Sequence, residues 1–150
     1  YMFVTLFCAI LETDTGLVQF TNAGHHHPVL VDPSRGPAVP AKDNDVVLGI
    51  DPEVRYGRHS LKMSPGQIMV LYTDGITEAF NSRREQYSEE RLMQNIKKCT
   101  SHSPKLCVQD LVADVRRFSQ GLPQGDDMTV VALQYRGPKG ETLIDTKYPG

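Results

Sequence analysis

A chain of 150 residues with 39% hydrophobic content has the length and apolar content of one ordinary core. Its 16 basic and 18 acidic residues nearly cancel to a net charge of −2, and no Lys/Arg block stands out, so the electrostatic footprint of a nucleic-acid binder is missing. The longest apolar runs, such as Ile68 to Tyr72, are far too short to span a bilayer and no signal peptide is visible, so no membrane segment and a cytoplasmic location are expected.

Residues 2–12, rich in Phe, Val, Thr, Leu and Ile, read as a buried strand. It begins inside an apolar run at Tyr1, so a preceding segment is expected. Thr13-Asp14-Thr15-Gly16 is a turn signal, and Leu17 to Asn22 completes a hairpin. Val29 to Val31 reads as a strand after Pro28, and the Pro- and Asp-rich residues 32–47 as a surface loop. Arg55 to Met63 and Gln67 to Thr73 read as strands joined by Ser64-Pro65-Gly66 into a second hairpin. Ser88-Glu89-Glu90-Arg91 starts a helix, with a Ser cap and an acidic first turn, that runs to about Lys98. Ser103-Pro104 opens another, with Leu106, Leu111, Val115 and Phe118 on one face, which ends near Gly121. Val130 to Tyr135 is a closing strand, and residues 137–150 read as a tail. Strands, two helices and a last strand give an α+β pattern in which helices cover one face of a sheet. Cys8, Cys99 and Cys107 are odd in number and form no CxxC pair, so each is expected as a small apolar side chain in a reducing compartment.

Three constellations could carry chemistry. Leu71-Tyr72-Thr73-Asp74-Gly75 places a carboxylate at the end of a buried strand, with Gly75 free to turn sharply beside it. Gly125-Asp126-Asp127-Met128-Thr129 puts two adjacent acids at a strand entrance, where like charges repel and Asp disfavours the strand. A divalent cation would remove that penalty, since hard ions take oxygen ligands; ordinary turn acids are the plainer reading. The third is Asn22-Ala23-Gly24-His25-His26-His27-Pro28. Three histidines suggest a transition metal, but consecutive residues of an extended segment point to alternate faces, so one is expected inward and the others solvated.

These motifs, in this order, resemble the sporulation stage II protein E-like branch of the protein phosphatase type 2C (PPM) family. The matching stretches are Phe3-Val4-Thr5-Leu6-Phe7, Asn22-Ala23-Gly24-His25, Leu48-Gly49-Ile50, Leu71 to Ala79 and Asp126-Asp127-Met128-Thr129-Val130-Val131, and the likeness covers residues 2 to about 135. The resemblance implies an antiparallel β-sandwich flanked by α-helices, here N-terminally truncated, with residues 1–136 as the C-terminal portion of the domain. It implies two Mn²⁺ or Mg²⁺ ions at one end of the sandwich, with Asp74 and Asp126 as metal ligands. Asp127, His25 and Gly75 would lie beside the ligands or serve an additional ion. Two such ions activate a bridging water and neutralise phosphoryl oxygens, so no protein nucleophile is required, in keeping with the lack of a Ser/His/Asp or Cys-Arg signature.

The implied activity is hydrolysis of phosphoserine or phosphothreonine in a protein, with an anti-sigma-factor antagonist as the suggested substrate. The family's remaining ligands belong to a Gly-Asp-Val-Ser-Gly-like segment that has no match here, so this stretch alone is expected to be inactive. The surface left bare by missing strands is expected to favour self-association. The alternative is a non-catalytic regulatory or binding module that keeps the sandwich; a small zinc protein built on the histidines is the third reading.

Overall fold

The structure, a computed structural model, describes residues 2–40, 45–101 and 103–138. Period-two burial sets its layers. In β3 (Val29–Asp32) and β6 (Ile68–Tyr72), Val29, Val31, Ile68, Val70 and Tyr72 are buried on one face, while Leu30 and Met69 contribute to a second cluster on the other. These strands sit at the middle of an antiparallel sheet, order β4-β3-β6-β7, completed by β4 (Gly36–Ala38) and β7 (Val130–Gln134). A second antiparallel sheet, order β1-β2-β5, holds β1 (Leu6–Glu12), β2 (Leu17–Ala23) and β5 (His59–Lys62).

Val18, Phe20, Met63, Met69 and Tyr135 fill the space between the sheets. On the far side of the larger sheet lie α1 (Asp74–Thr77), α2 (Ser88–Ile96) and α3 (Pro104–Ser119), which bury Ile76, Leu92, Ile96, Leu111 and Val115 against it. Leu92 and Val70 are fully enclosed, each worth about 1.5–3 kcal/mol over an exposed position. The molecule is thus an antiparallel β-sandwich flanked by helices, as the family resemblance implies.

Several local expectations are corrected. The first strand begins at Leu6 and is not buried: Phe7 and Leu11 pack inward, but Leu6, Cys8 and Ile10 fall on the opposite, outer face and are exposed. The second expected hairpin does not form. β5 pairs with β2 and β6 with β3 and β7, so the Ser64–Gly66 turn carries the chain from one sheet to the other. The backbone N–H of Met63 donates to Gly16 O at 2.8 Å, and that of Gly66 to Tyr135 O at 2.8 Å. Met63 and Met69 both enter the space between the sheets, one following β5 of the smaller sheet and one from β6 of the larger.

The expected loop over 32–47 contains β4 and a bridge from Asp45 to Ala23, while 41–44 lie outside the described residues. Ser88 is not a cap: it is the first helical residue, at φ 70°, and α2 gives way to a 3₁₀ turn over Lys97–Ser101. In α3 the Ser103 hydroxyl does cap, accepting from Leu106 N at 3.3 Å. Its buried stripe is Cys107, Leu111 and Val115; Leu106, one position off that stripe, is exposed.

Cys99 and Cys107 are buried and joined in a disulfide, contrary to the reading of separate thiols. The 3₁₀ turn and the start of α3 bring their Cα atoms to 5.1 Å, a juxtaposition that the eight-residue spacing does not announce. Of the expected tail, residues 139–150 lie outside the described residues.

Candidate functional site

β6 ends at Tyr72, and Thr73 leads into the single turn of α1, whose first residue is Asp74. The carboxylate is exposed, and its Oδ1 accepts the backbone N–H of Gly75 at 3.0 Å. Behind it the turn is closed by Glu78 N–H donating to Asp74 O at 2.8 Å.

The loop that carries Asp126 and Asp127 docks against this turn. A Cβ at Gly75 would stand 2.5 Å from Asp127 O, 2.9 Å from its carbonyl carbon and 3.2 Å from Asp126 O. Only glycine allows that approach of backbone to backbone. Thr73 locks the same contact: its hydroxyl donates to Asp127 O and accepts from Thr129 N, both at 3.0 Å, and its own N–H donates to Thr129 O at 3.1 Å.

Asp126 Oδ1 accepts the backbone N–H of Asp127 at 2.7 Å, and Gln124 Nε2 donates to Asp126 O. Asp74 and Asp126 are therefore held alike. Each has one carboxylate oxygen on the next residue's N–H and, among the described residues, no partner on the other.

The third motif is shaped by Asn22, which is buried at the end of β2. Its side chain accepts from His25 N at 2.8 Å and donates to His25 O at 3.0 Å, clasping the turn. Gly24, at φ 70°, lies where a Cβ would meet Val47 Cγ1 at 2.3 Å. The histidines do not divide into one buried and two solvated: all three are half-buried. His25 Nδ1 shares a hydrogen bond with the Thr5 hydroxyl at 3.2 Å, and His26 stacks on Tyr72 at 5.2 Å between ring centroids.

Burial holds the His25 imidazole below its ordinary pKa, neighbouring His26 adds to this, and the Asp74 carboxylate pulls the other way. His25 is thus within electrostatic reach of Asp74. Burial, with Glu89 nearby, pushes the Tyr72 phenol up to about 12, so it stands neutral behind His26.

Asp74, Gly75, Asp126 and Asp127 are thereby gathered at one end of β6 and β7. The role of Thr73 was not foreseen; its signal was a hydroxyl directly before the strand-end acid. The cleft beside Gly75 and Asp126, of about 580 Å³ and walled by Phe80, Leu122, Met128 and Arg116, has no sequence signature either. Among the described residues no three or more His, Cys, Asp or Glu side chains converge as a metal cluster.

The family described as Stage II sporulation protein E (SpoIIE) matches residues 1–136. Protein IcfG of Synechocystis sp. is 31% identical over 133 residues, 88% of this chain and 20% of that protein. The phosphatase domain of the cell fate determinant SpoIIE from Bacillus subtilis, in a crystal form without domain swapping, superposes with a TM-score of 0.71 at 20% identity, over 97% of this chain and 60% of that one. The RsbU and RsbW domains of a Mycobacterium tuberculosis protein superpose with a TM-score of 0.67 at 22% identity, over 89% of this chain and 36% of theirs. These structural likenesses concern the fold. The chain spans about a fifth of the length of its curated relative.

Proposed function

This chain belongs to the stage II sporulation protein E family, and from that premise we propose that it forms part of a metal-dependent phosphatase domain acting on phosphoserine or phosphothreonine in a protein. The observation that carries the reading is the docking of the Asp126–Asp127 carbonyls onto Gly75, which sets Asp74 and Asp126 on backbones in contact.

The donor set fits a hard divalent cation such as Mn²⁺ or Mg²⁺: exposed carboxylates, each oriented by one backbone N–H and open at the other oxygen. Asp74 and Asp126 would hold the ions, with Asp127 and His25 alongside; further ligands are required beyond these residues, since among the described residues no larger cluster forms. When bound, two such ions supply an activated water and offset phosphoryl charge.

The protein's own part is positioning. Thr73 and Gly75 clamp the acidic loop to α1, and Asn22 clasps the turn that presents His25. The Thr73 hydroxyl is engaged as both donor and acceptor, which removes it as a nucleophile and leaves water for that role. A phosphorylated anti-sigma-factor antagonist is the proposed substrate, as implied by the resemblance to this branch of the family. An apolar-walled cleft with Arg116 beside the acids suits a peptide flanking an acidic phosphoresidue.

The test is phosphate release from a phosphoserine protein by the intact domain, with chelator, with added Mn²⁺ or Zn²⁺, and with Asp126→Ala. Activity should vanish with chelator, return with Mn²⁺ and be lost in the variant. Restoration by Zn²⁺ and not Mn²⁺ would reopen the histidine site. An intact domain inert with every ion would favour the non-catalytic module.

A further inference from the structure

The cleft of about 580 Å³ beside Gly75 and Asp126 exposes two large apolar side chains, Phe80 at 49% and Leu122 at 44%. Scattered apolar residues are ordinary on a protein surface, but these two line one cavity. Neither sits on a loose segment. Phe80 opens a turn that Asn81 ties: its buried side chain accepts from Arg83 N at 2.9 Å and Glu85 N at 3.0 Å, and donates to Glu85 Oε2 at 2.7 Å. Phe80 is bridged to Gln86, and the turn closes where Tyr87 N donates to Ala79 O at 2.8 Å.

Leu122 follows the end of α3, where Gln120 takes the left-handed conformation at φ 50° and Leu122 N donates to Ser119 O at 3.0 Å. Ser82 Oγ donates to Gln120 Oε1 at 3.2 Å, which links the two segments directly. The spacing of Phe80 and Leu122 is thus set by the fold before anything binds, so no ordering cost falls on the occupant.

What lies over this cleft follows from the rest of its lining. Gly75 and Asp126 belong to it as well as to the candidate metal centre. Successive residues of an extended segment advance by about 3.3 Å and point their side chains alternately. A phosphoresidue held at Asp74 and Asp126 therefore carries its near neighbours across the cleft. Charge does little to choose among those neighbours, since Arg116 and Glu78 line the same space with opposite sign. Apolar area does choose: covering what is left open of a Phe and a Leu favours an apolar side chain over a polar one.

On the basis of the phosphatase reading, we propose that Phe80 and Leu122 select the substrate: together they take an apolar side chain that lies within about two residues of the phosphoserine or phosphothreonine.

The intact domain is assayed in Mn²⁺ on phosphoserine peptides of equal length, beside 4-nitrophenyl phosphate. One peptide is polar throughout; the others carry a single leucine, placed in turn at each position up to two residues from the phosphoserine. Leucine at one or more of these positions should raise kcat/KM at least about tenfold over the polar peptide. Phe80→Ser with Leu122→Ser should bring that ratio to within about twofold of one, and Phe80→Leu, which keeps apolar surface in the cleft, should retain most of it. A ratio of two peptides on one enzyme does not depend on how much of that enzyme is folded, so lost stability cannot imitate the result. Turnover of 4-nitrophenyl phosphate with no leucine preference among the peptides, or a preference that survives the serine pair, would overturn this inference alone. No turnover of any of these substrates would overturn the phosphatase reading, and this inference with it.

Discussion

Gly75→Ala adds one methyl group at the point where the two acidic segments meet. The new Cβ would lie 2.5 Å from Asp127 O and 2.9 Å from its carbonyl carbon. Both are backbone atoms, so no side chain can swing aside. To restore ordinary contact the loop must retreat by roughly 1 Å. That stretches the 3.0 Å bond from the Thr73 hydroxyl to Asp127 O beyond hydrogen-bond range, a loss of about 1 kcal/mol. Overpacking adds about 1–3 kcal/mol. Against this, Ala is favoured over Gly in a helix by at most about 1 kcal/mol, and a one-turn helix gains less than that. The destabilising terms win, with an expected net loss of about 1–3 kcal/mol in urea unfolding of the chain.

The functional effect should be larger, because a displacement of about 1 Å at a reacting centre costs up to about 10²-fold in rate. Phosphatase activity of the intact domain in Mn²⁺ is the second readout. Gly125→Ala is the control: it lies in the same loop, but a Cβ there meets nothing within 4 Å, so stability should stay within about 0.5 kcal/mol. If Gly75→Ala matches Gly125→Ala in both unfolding midpoint and activity, the docking does not hold the site together.

Asp74→Ala, at an exposed position, should leave the intact domain folded but abolish its activity; turnover within about twofold of wild type would remove Asp74 from the centre. The 150-residue chain alone should show little or no turnover in Mn²⁺ and should self-associate through the exposed apolar face of β1, seen as a concentration-dependent elution volume. Turnover matching the intact domain would show the ligand set here to be complete. Asp32 accepts from Ser34 N, Ser34 Oγ, Arg35 N and Gln67 Nε2, which hold its carboxyl far below the usual range. A folded-state value below the unfolded one gives stability that is present above about pH 4 and lost as pH falls below it. Urea midpoints should therefore fall more steeply below about pH 4 in wild type than in Asp32→Ala; parallel profiles would refute this assignment.

The strand sequences, read alone, located individual strands where an apolar run is bounded by turn residues, while the two-layer sandwich came from the family resemblance. Val29, Val31, Ile68 and Val70 announced β3 and β6, and Ser103-Pro104 announced the start of α3. The strand-end acids were also visible: Asp74 because it follows a buried strand beside Gly75, and Asp126 and Asp127 because two adjacent acids at the entrance to β7 run against strand preference. Sequence could not say which strands share a sheet. Ser64-Pro65-Gly66 is a turn in either case, and it is the pairing of β5 with β2 and of β6 with β3 and β7 that makes it a crossing and not a hairpin.

The same limit hid the disulfide and the closure of the acidic end. Cys99 meets Cys107 because a 3₁₀ turn folds back on a helix, and Gly75 is essential because a loop more than fifty residues later presses its carbonyls there. Local propensity acts over a few residues. Contacts between distant segments depend on how whole faces pack, and that is decided only when the core closes.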